Sequence, residues 1–566
     1  MSIIGIDLGT TNSLVSCWTD KGVILIPNAL GNKLTPSAVS VDDNGEILVG
    51  QIAEERLITH PHLTVATFKR YMGTSRTIQL GKYAFLPEEL SSFIIRSLKE
   101  DAEVFLGRSI DEAVISVPAY FNDAQRKATK RAGELAGLKV ERLINEPTAA
   151  AVAYGLYQQE SETKFLVFDL GGGTFDVSIV ELFDNIMEVE AIAGDNYLGG
   201  EDFTELLVSL FSEHHQIEQD SLDSKALAAI RKQAEICKQS LGQNQTATMN
   251  CTINGNSLQW SIDRQAFAVE AKPLINRLRH PVERALKDAA VKAHELDAVI
   301  LVGGATRMSL VHTLVSKLFG RFPTCSVNPD EVVAAGAGIQ AAMKERNAIL
   351  KESVLTDVCP YTLGTDVCVR IGPGIFESGK FAPIIERNTV IPVSKVKRFC
   401  TTKDYQTTID VGIFQGESRL TKNNIKLGQL EIRVSPAPAG EQEIDVRFTY
   451  DLNGILEVEV IAVETGLKNR IVIEESPGTM SKEEIEKRLA ALVNIKIHPR
   501  EKQENKLLIA RGERLYEESL GEERQEIAFA IQEFENVLNT QDNKKIKIAT
   551  DVLKSRLAEI ERNQEF

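Results

Sequence analysis

Through the first 350 positions, apolar residues come in short unbroken runs ended by glycine or proline, interspersed with stretches of helical spacing. IIGID (3–7), AVISV (113–117), FLVFDL (165–170) and AVILV (298–302) have the length and β-branched content of buried strands. NDAQRKATKRAGELAGL predicts a helix that Asn122 or Asp123 can cap and Gly137 can close. Another helix is expected from about Leu310. A third, in VNPDEVVAAGAGIQAAMKE, is expected to be capped by Asp330 and to reach about residue 347. Alternating strands and helices predict an α/β domain over residues 1–350.

At SVLTDVCPYTLG (353–364) the pattern changes. NTVIPV, TTIDVGIF, QLEIRV, EIDVRFTY, GILEVEVIA and RIVIEE are short β runs with hairpin punctuation and no helical stretch between them. They predict a compact β domain over 359–476, joined to the first domain by a linker at 351–358. Beyond Pro477-Gly478, the sequence Ser481-Lys-Glu-Glu484 has the form of a capping box. It opens an amphipathic helix with Ile485, Leu489, Leu492 and Val493 on one face, and the chain reads as helical from 477 to 566.

Composition narrows the function classes. The chain is too long for one core. A net charge of −16 argues against nucleic acid or an anionic membrane as the main partner. No apolar run has transmembrane length, and Met1 leads directly into a strand without a basic leader. Seven scattered cysteines without a CxxC pair fit neither a zinc site nor a disulfide framework. A reducing, cytoplasmic setting is the expectation.

Two stretches nearly repeat: IIGIDLGTTNSLVSCW (3–18) and FLVFDLGGGTFDVSIV (165–180). Each leads a strand through Asp-Leu-Gly and a small, hydroxyl-bearing turn into a second strand. Such a turn offers backbone N–H groups and hydroxyls to an anion, phosphate above all. An Asp at the strand end can hold Mg²⁺ through water. Two such turns facing each other would grip a polyphosphate from both sides, so a duplicated domain with one phosphate hairpin per half is expected. VGGATR (302–307) is a third strand–turn–helix of this kind, and no GxxxxGK[ST] loop occurs.

IGIDLGTTNS, ISVPAYFNDAQR, LINEPTAAAVAYG, FDLGGGTFDVS, YLGGEDF, LVGGATRM and NPDEVVAAGA stand in this order along the chain. On these motifs the sequence resembles the seventy-kilodalton heat-shock chaperone family, of the DnaK type. The short tail and NGILEVEV suggest its specialised HscC branch. The resemblance runs through the β domain and weakens in the helical tail. It implies an actin-like, duplicated ribonuclease-H-like ATPase domain, a β-sandwich that binds peptide, and a helical lid.

Residue by residue, the resemblance implies that Asp7, Glu146, Asp169 and Asp176 surround Mg²⁺ and the attacking water. Asp7, Asp169 and Asp176 would hold the ion mostly through water. Lys69 would approach the γ-phosphate of ATP, and Thr174 would complete the catalytic group. Gly9, Thr10, Thr11, Asn12, Gly171, Gly172 and Gly173 would line the phosphates. Gly199, Gly200, Glu201, Glu235, Lys238, Gly242, Gly303, Gly304, Arg307 and Asp330 would complete the nucleotide site, with Arg307 stacked on adenine. Pro118 and Arg126 match the family's relay to the linker. Arg142, Asn145, Thr148 and Asp357 match surfaces used by the linker and a J-domain co-chaperone. Thr365, Val367, Cys368, Phe399, Cys400, Thr402, Ile409, Val411 and Ile413 match the peptide groove. A nucleotide exchange factor is a further implied partner, and no oligomer signal stands out, so a monomer is expected.

Thr356 stands where the family carries an apolar linker residue, which predicts weaker linker docking. VRIGPGIFESGKFAP (369–383) predicts an expanded hairpin loop, and the tail ends in RNQEF without an EEVD-like signal. Two rival readings stay open. A small-molecule kinase on an actin-like fold explains the twin hairpins but leaves the linker and β domain without use. A passive holder without hydrolysis has no use for Lys69, Glu146 and Thr174.

Overall fold

The computed structural model describes residues 3–155, 162–183, 186–253, 256–324, 328–344, 354–372, 375–451, 454–473 and 498–564. Pro373, Gly374, Cys325 and the predicted capping-box helix at 481–493 lie outside the described residues. The chain divides into two compact units. One comprises residues 1–361 with 387–391, the other 362–386 with 392–566.

The first unit holds two six-stranded sheets built on one plan. In the first, Ile3–Asp7 pairs antiparallel with Asn12–Thr19 and parallel with Glu112–Val117. In the second, Glu162–Leu170 pairs antiparallel with Phe175–Phe183 and parallel with Ala298–Val302. The two near-repeats therefore occupy matching places in two matching sheets. Their strands are buried on both faces, which is why they read as unbroken apolar runs rather than as alternation.

Two small-residue helices, Glu146–Gly155 and Val332–Lys344, cross closely within this unit. A Cβ on Gly336 would lie 1.8 Å from the Ala149 carbonyl oxygen, and one on Gly5 would lie 2.2 Å from the Gly338 nitrogen. Only glycine fits these crossings, so the Ala/Gly run packs one helix against the other and against the first strand. The crossing fixes where Glu146, the first residue of its helix, is presented.

Asn122 caps the helix Asp123–Leu135: its side-chain oxygen accepts from the Gln125 N–H at 3.0 Å, and the Gln125 side chain accepts from the Asn122 N–H at 3.0 Å. Gly137, at φ 76°, follows the helix end. Asp330 does not cap Val332–Lys344 as the sequence suggests. Its carboxylate oxygen Oδ2 accepts from Arg307 at 2.6 and 3.0 Å, a charge-assisted pair.

Val354–Val358 adds to the second sheet as a parallel strand, with Ile186 opposite Val354 and Glu188 opposite Thr356. Val390–Ile391 then pairs with its end. Arg387 and Asn388 join the same unit: Arg387 holds Asp288 through two bonds of 2.9 Å, and the Asn388 side chain accepts from the Ile192 N–H at 3.0 Å. Packing thus extends the first unit past residue 350 and includes a short return from the β region.

The second unit is a sandwich of two four-stranded antiparallel sheets followed by helices Gln503–Glu518, Gly521–Thr540 and Asn543–Gln564. Alternation places Val411, Ile413, Ile432, Val446, Phe448, Val458 and Val460 inside. Leu508, Leu515, Ile527, Phe534, Leu538, Leu553 and Leu557 form the core of the helical bundle. Gln541, left-handed at φ 53°, ends the middle helix. Its amide accepts from the Val396 N–H at 3.1 Å and donates to the Val396 carbonyl at 2.9 Å. Val396 lies on Val393–Cys400, an edge strand of the second sheet. Among the described residues no helix is long and apolar enough to cross a membrane.

Candidate functional site

The twin turns meet across a cleft of about 1020 Å³ in the first unit. A Cβ on Gly172 would lie 2.0 Å from the Thr11 hydroxyl, and one on Gly173 would lie 3.0 Å from the Thr10 hydroxyl. The glycines are what lets one turn close on the other. Gly9, Thr10, Thr11, Asn12, Gly171, Gly172 and Thr174 line this end. Gly173 and Gly199 stand just behind it: a Cβ on Gly199 would strike the Gly172 backbone at 2.4 Å.

Acidic groups converge beneath the turns. Asp7, Glu146 and Asp169 line the cleft with Lys69. Lys69 sits in the 3-10 turn Phe68–Tyr71 at 4% exposure, and its ammonium is 2.8 Å from Glu146. It is thus a buried partner of an acid, not a solvated lysine. Ser116 donates to Asp7 at 2.8 Å, and the Tyr120 N–H donates to Asp176 at 3.0 Å. One buried oxygen of Asp169, Oδ2, has no hydrogen-bond partner among the described residues.

One lysine cannot balance this set. Burial, then Glu146, pushes the Asp7 carboxyl up to about 7, against the pull of Lys69. Burial and Glu146 push Asp176 up to about 8. Burial, with Glu146, Asp176 and Asp7 adding, raises Asp169 well above the carboxylate range. The site is short of positive charge and carries a free acceptor, which suits a cation. Among the described residues no three acid, imidazole or thiol groups come together as a ready-made ligand set for a metal ion.

The opposite end is built by the helix Ser224–Gln243, which turns Glu235, Lys238 and Gly242 to the cleft at spacings of three and four. Lys238 donates to the Gly200 carbonyl at 3.0 Å and the Thr204 hydroxyl at 2.9 Å, and pairs with Glu235 at 2.6 Å. Burial works to raise the Glu235 carboxyl, but Lys238 and Thr204 outweigh it and hold the group below its ordinary value. Arg307 is pinned by Asp330 and, at 2.9 Å, by Asn328. Gly200, Glu201, Gly303 and Gly304 complete the wall.

The structure brings together every nucleotide-site residue anticipated from sequence, with Gly173, Gly199 and Asp176 just behind the surface. It adds Gln239, Asn328 and His312 to the lining. Asn328 was legible in NPDE as a neighbour of Asp330. Gln239 and His312 carry no sequence signal beyond their helices.

A second network leaves the acidic end. Arg126 donates to the carbonyls of Ala119 and Phe121, each at 3.1 Å, and to the Asn145 side chain at 2.6 Å. Asn145 donates to Asp357 at 2.9 Å. Asn145, Thr148 and Asp357 are buried and Arg142 half-buried, and of these Asn145 meets the strand Val354–Val358 through Asp357. Pro118 stands at the start of the segment that Arg126 grips.

In the second unit the groove candidates divide. Val367, Phe399, Thr402 and Ile409 are half-buried, and Cys368 and Cys400 exposed. Thr365, Val411 and Ile413 are buried in the sandwich. Ile409, Val411 and Ile413 share one face of Thr408–Gln415, which passes from a partly open end into the core. Period-two alternation could not show where along that face the opening ends, and Val411 and Ile413 are core residues.

A phosphate-type cleft in a duplicated α/β unit, followed by a β-sandwich and a helical bundle, defines a nucleotide-driven chaperone. The chain matches the family described as "Hsp70 protein" over residues 3–79 and 75–565. It is similar to the chaperone protein DnaK of Thermotoga neapolitana, at 43% identity over 83% of this chain and 80% of that protein. It is similar also to the chaperone protein DnaK of Thermosipho melanesiensis, at 38% identity over 99% of this chain and 96% of that protein. The chain belongs to the Hsp70 family of ATP-dependent chaperones, which are ATPases.

Proposed function

We propose that the cleft of the first unit is the site of slow, Mg²⁺-dependent ATP hydrolysis, and that hydrolysis switches the affinity of the sandwich for short apolar peptide segments. The observation that carries this reading is the pair of glycine turns facing each other above the buried Glu146, Asp169 and Asp176, the half-buried Asp7 and one lysine. Asp7, Asp169 and Asp176 would hold Mg²⁺, mostly through water. The bound ion supplies charge neutralisation to the phosphates. The turn N–H groups and the Thr10, Thr11 and Thr174 hydroxyls bind and orient the polyphosphate, and Lys69, aimed by Glu146, orients the attacking water. Glu235, Lys238 and Arg307 take the nucleoside.

Residues 1–350 are proposed as the actin-like ATPase domain, 351–358 as the linker, 359–476 as the peptide-binding domain and 477–566 as the lid. Val367, Cys368, Phe399, Cys400, Thr402 and Ile409 are the proposed groove residues. A J-domain co-chaperone is proposed to act near Arg142, Asn145, Thr148 and Asp357, where Asn145 bonds to the added strand. An exchange factor, a monomeric state and a cytoplasmic setting complete the proposal. The short tail, NGILEVEV and Thr356 favour a specialised member of the HscC type; the hairpin at 369–383 is not the long loop its glycines suggest, because Leu363–Gly372 and Ile375–Ile385 pair as strands up to Gly372 and Ile375.

Single-turnover ATP hydrolysis with Mg²⁺, with and without a short apolar peptide, tests this. Lys69→Ala removes the one buried ammonium of the acid cluster and should slow hydrolysis on the order of 10²–10³-fold. Hydrolysis that survives the substitution would refute the site. Loss of hydrolysis in the variant, with a wild-type rate indifferent to peptide, would refute the coupling.

A further inference from the structure

We infer that Tyr361 is a positioning residue for the cleft: from the segment that follows the added strand, it fixes the Tyr120 peptide groups that hold Asp176. Sequence reasoning assigned a role to neither tyrosine. The inference rests on the reading of Asp176 as a cleft acid.

The contacts form one continuous path. The Tyr361 hydroxyl donates to the Tyr120 carbonyl at 2.6 Å. The two rings pack with centroids 4.6 Å apart and planes tilted by 41°. The Tyr120 N–H donates to Asp176 at 3.0 Å. The N–H and C=O of one residue flank its two soft dihedrals, so a partner on the carbonyl limits where the N–H can point.

Tyr120 is also engaged by residues that precede the added strand. Asn196 donates to the same carbonyl at 2.7 Å, and Arg284 donates to the Tyr120 hydroxyl at 2.8 Å. Arg126 grips the carbonyls on either side. Among these partners Tyr361 alone arrives from the segment beyond Asp357. Withdrawal of that segment removes a hydroxyl and a ring from Tyr120, while Asn196 still donates to its carbonyl. The geometry therefore gives the segment a second hold on the cleft, separate from the Asp357–Asn145–Arg126 path. Asp357 reaches Asn145 and Arg126, whereas Tyr361 reaches the backbone that touches Asp176.

The test uses the full chain and two substitutions. Tyr361→Phe keeps the ring and deletes the hydroxyl; Tyr361→Leu deletes both. Three quantities are read: the single-turnover rate constant at saturating Mg²⁺ and ATP, ADP affinity, and amide exchange of residues 119–121 in nucleotide-free protein. Loss of one buried hydrogen bond predicts a fall in rate of about 3- to 10-fold for Tyr361→Phe, with exchange faster by a similar factor and ADP affinity unchanged. Tyr361→Leu should exceed both effects. Unchanged rate and exchange in both variants would overturn the inference while Lys69→Ala still slows hydrolysis. A parallel loss of ADP affinity would also overturn it, because it would show a general structural role. Survival of hydrolysis in Lys69→Ala would instead overturn the reading of the cleft itself.

Discussion

Asp357 ties the added strand to the interior, and its removal can be worked through from the contacts. Its carboxylate accepts from Asn145 at 2.9 Å and from the Val358 N–H at 2.8 Å, and both Asn145 and Asp357 are buried. Asp357→Ala leaves the Asn145 amide without that acceptor in a place water does not reach. A buried donor left unpaired costs about 1–3 kcal/mol. The ladder from Ile186 to Glu188 and the pair Asp357–Ile391 are backbone contacts and survive the change. At about 2 kcal/mol, the ratio of docked to undocked strand falls roughly 30-fold. Amide exchange over residues 354–358 reads this ratio directly, and exchange there should quicken by a similar factor. Asp357→Asn keeps an oxygen for Asn145 and should cost far less. Protection that changes less than about twofold in Asp357→Ala would refute the view that this carboxylate anchors the strand.

The acid cluster predicts a pH dependence of the metal- and nucleotide-free protein. The folded values of Asp7 and Asp176, about 7 and about 8, lie above the ordinary 3.8, so the folded state binds protons more tightly than the unfolded chain. Their contribution is full below the ordinary value and is lost as pH rises through the folded values. Melting temperature should therefore fall from about pH 6 to about pH 8.5, and Asp176→Asn should flatten the decline. The Thr356 hydroxyl lies 3.4 Å from the Met187 carbonyl, too long for a strong bond, so Thr356→Leu should tighten docking and enlarge the rise in ATPase rate on adding peptide. No gain in either would remove the polar linker residue as a cause of loose coupling. Gly336→Ala forces a Cβ onto the Ala149 carbonyl and should destabilise the first unit by about 3 kcal/mol, seen in denaturant unfolding.

Much of the cleft was legible because its chemistry is written in short, local segments. A strand, an Asp and a glycine turn are contiguous, and the two copies announced two facing turns before any pairing was known. Helical spacing likewise brought Glu235, Lys238 and Gly242 to one face. What stayed hidden depends on distant partners. Asp330 reads as a cap from its neighbours alone, but Arg307 claims its carboxylate. Lys69 reads as a surface lysine until Glu146, on a helix that Gly336 lets pack closely, is found 2.8 Å away. The depth of Val411 and Ile413 depends on which strands of the opposite sheet cover them. Tyr361 carried no signal because its partner, Tyr120, is remote in sequence.

The amide of Gln541 has a consequence beyond joining the helical bundle to the sandwich. An outer strand presents donors and acceptors to any extended chain that comes near, and a chaperone works among such chains. By offering one donor and one acceptor to Val396, the glutamine occupies a rung of that ladder as a neighbouring backbone would. Where the helix ends, a single side chain stands in for the missing strand. It takes up one rung of this margin, where an incoming extended chain would otherwise pair.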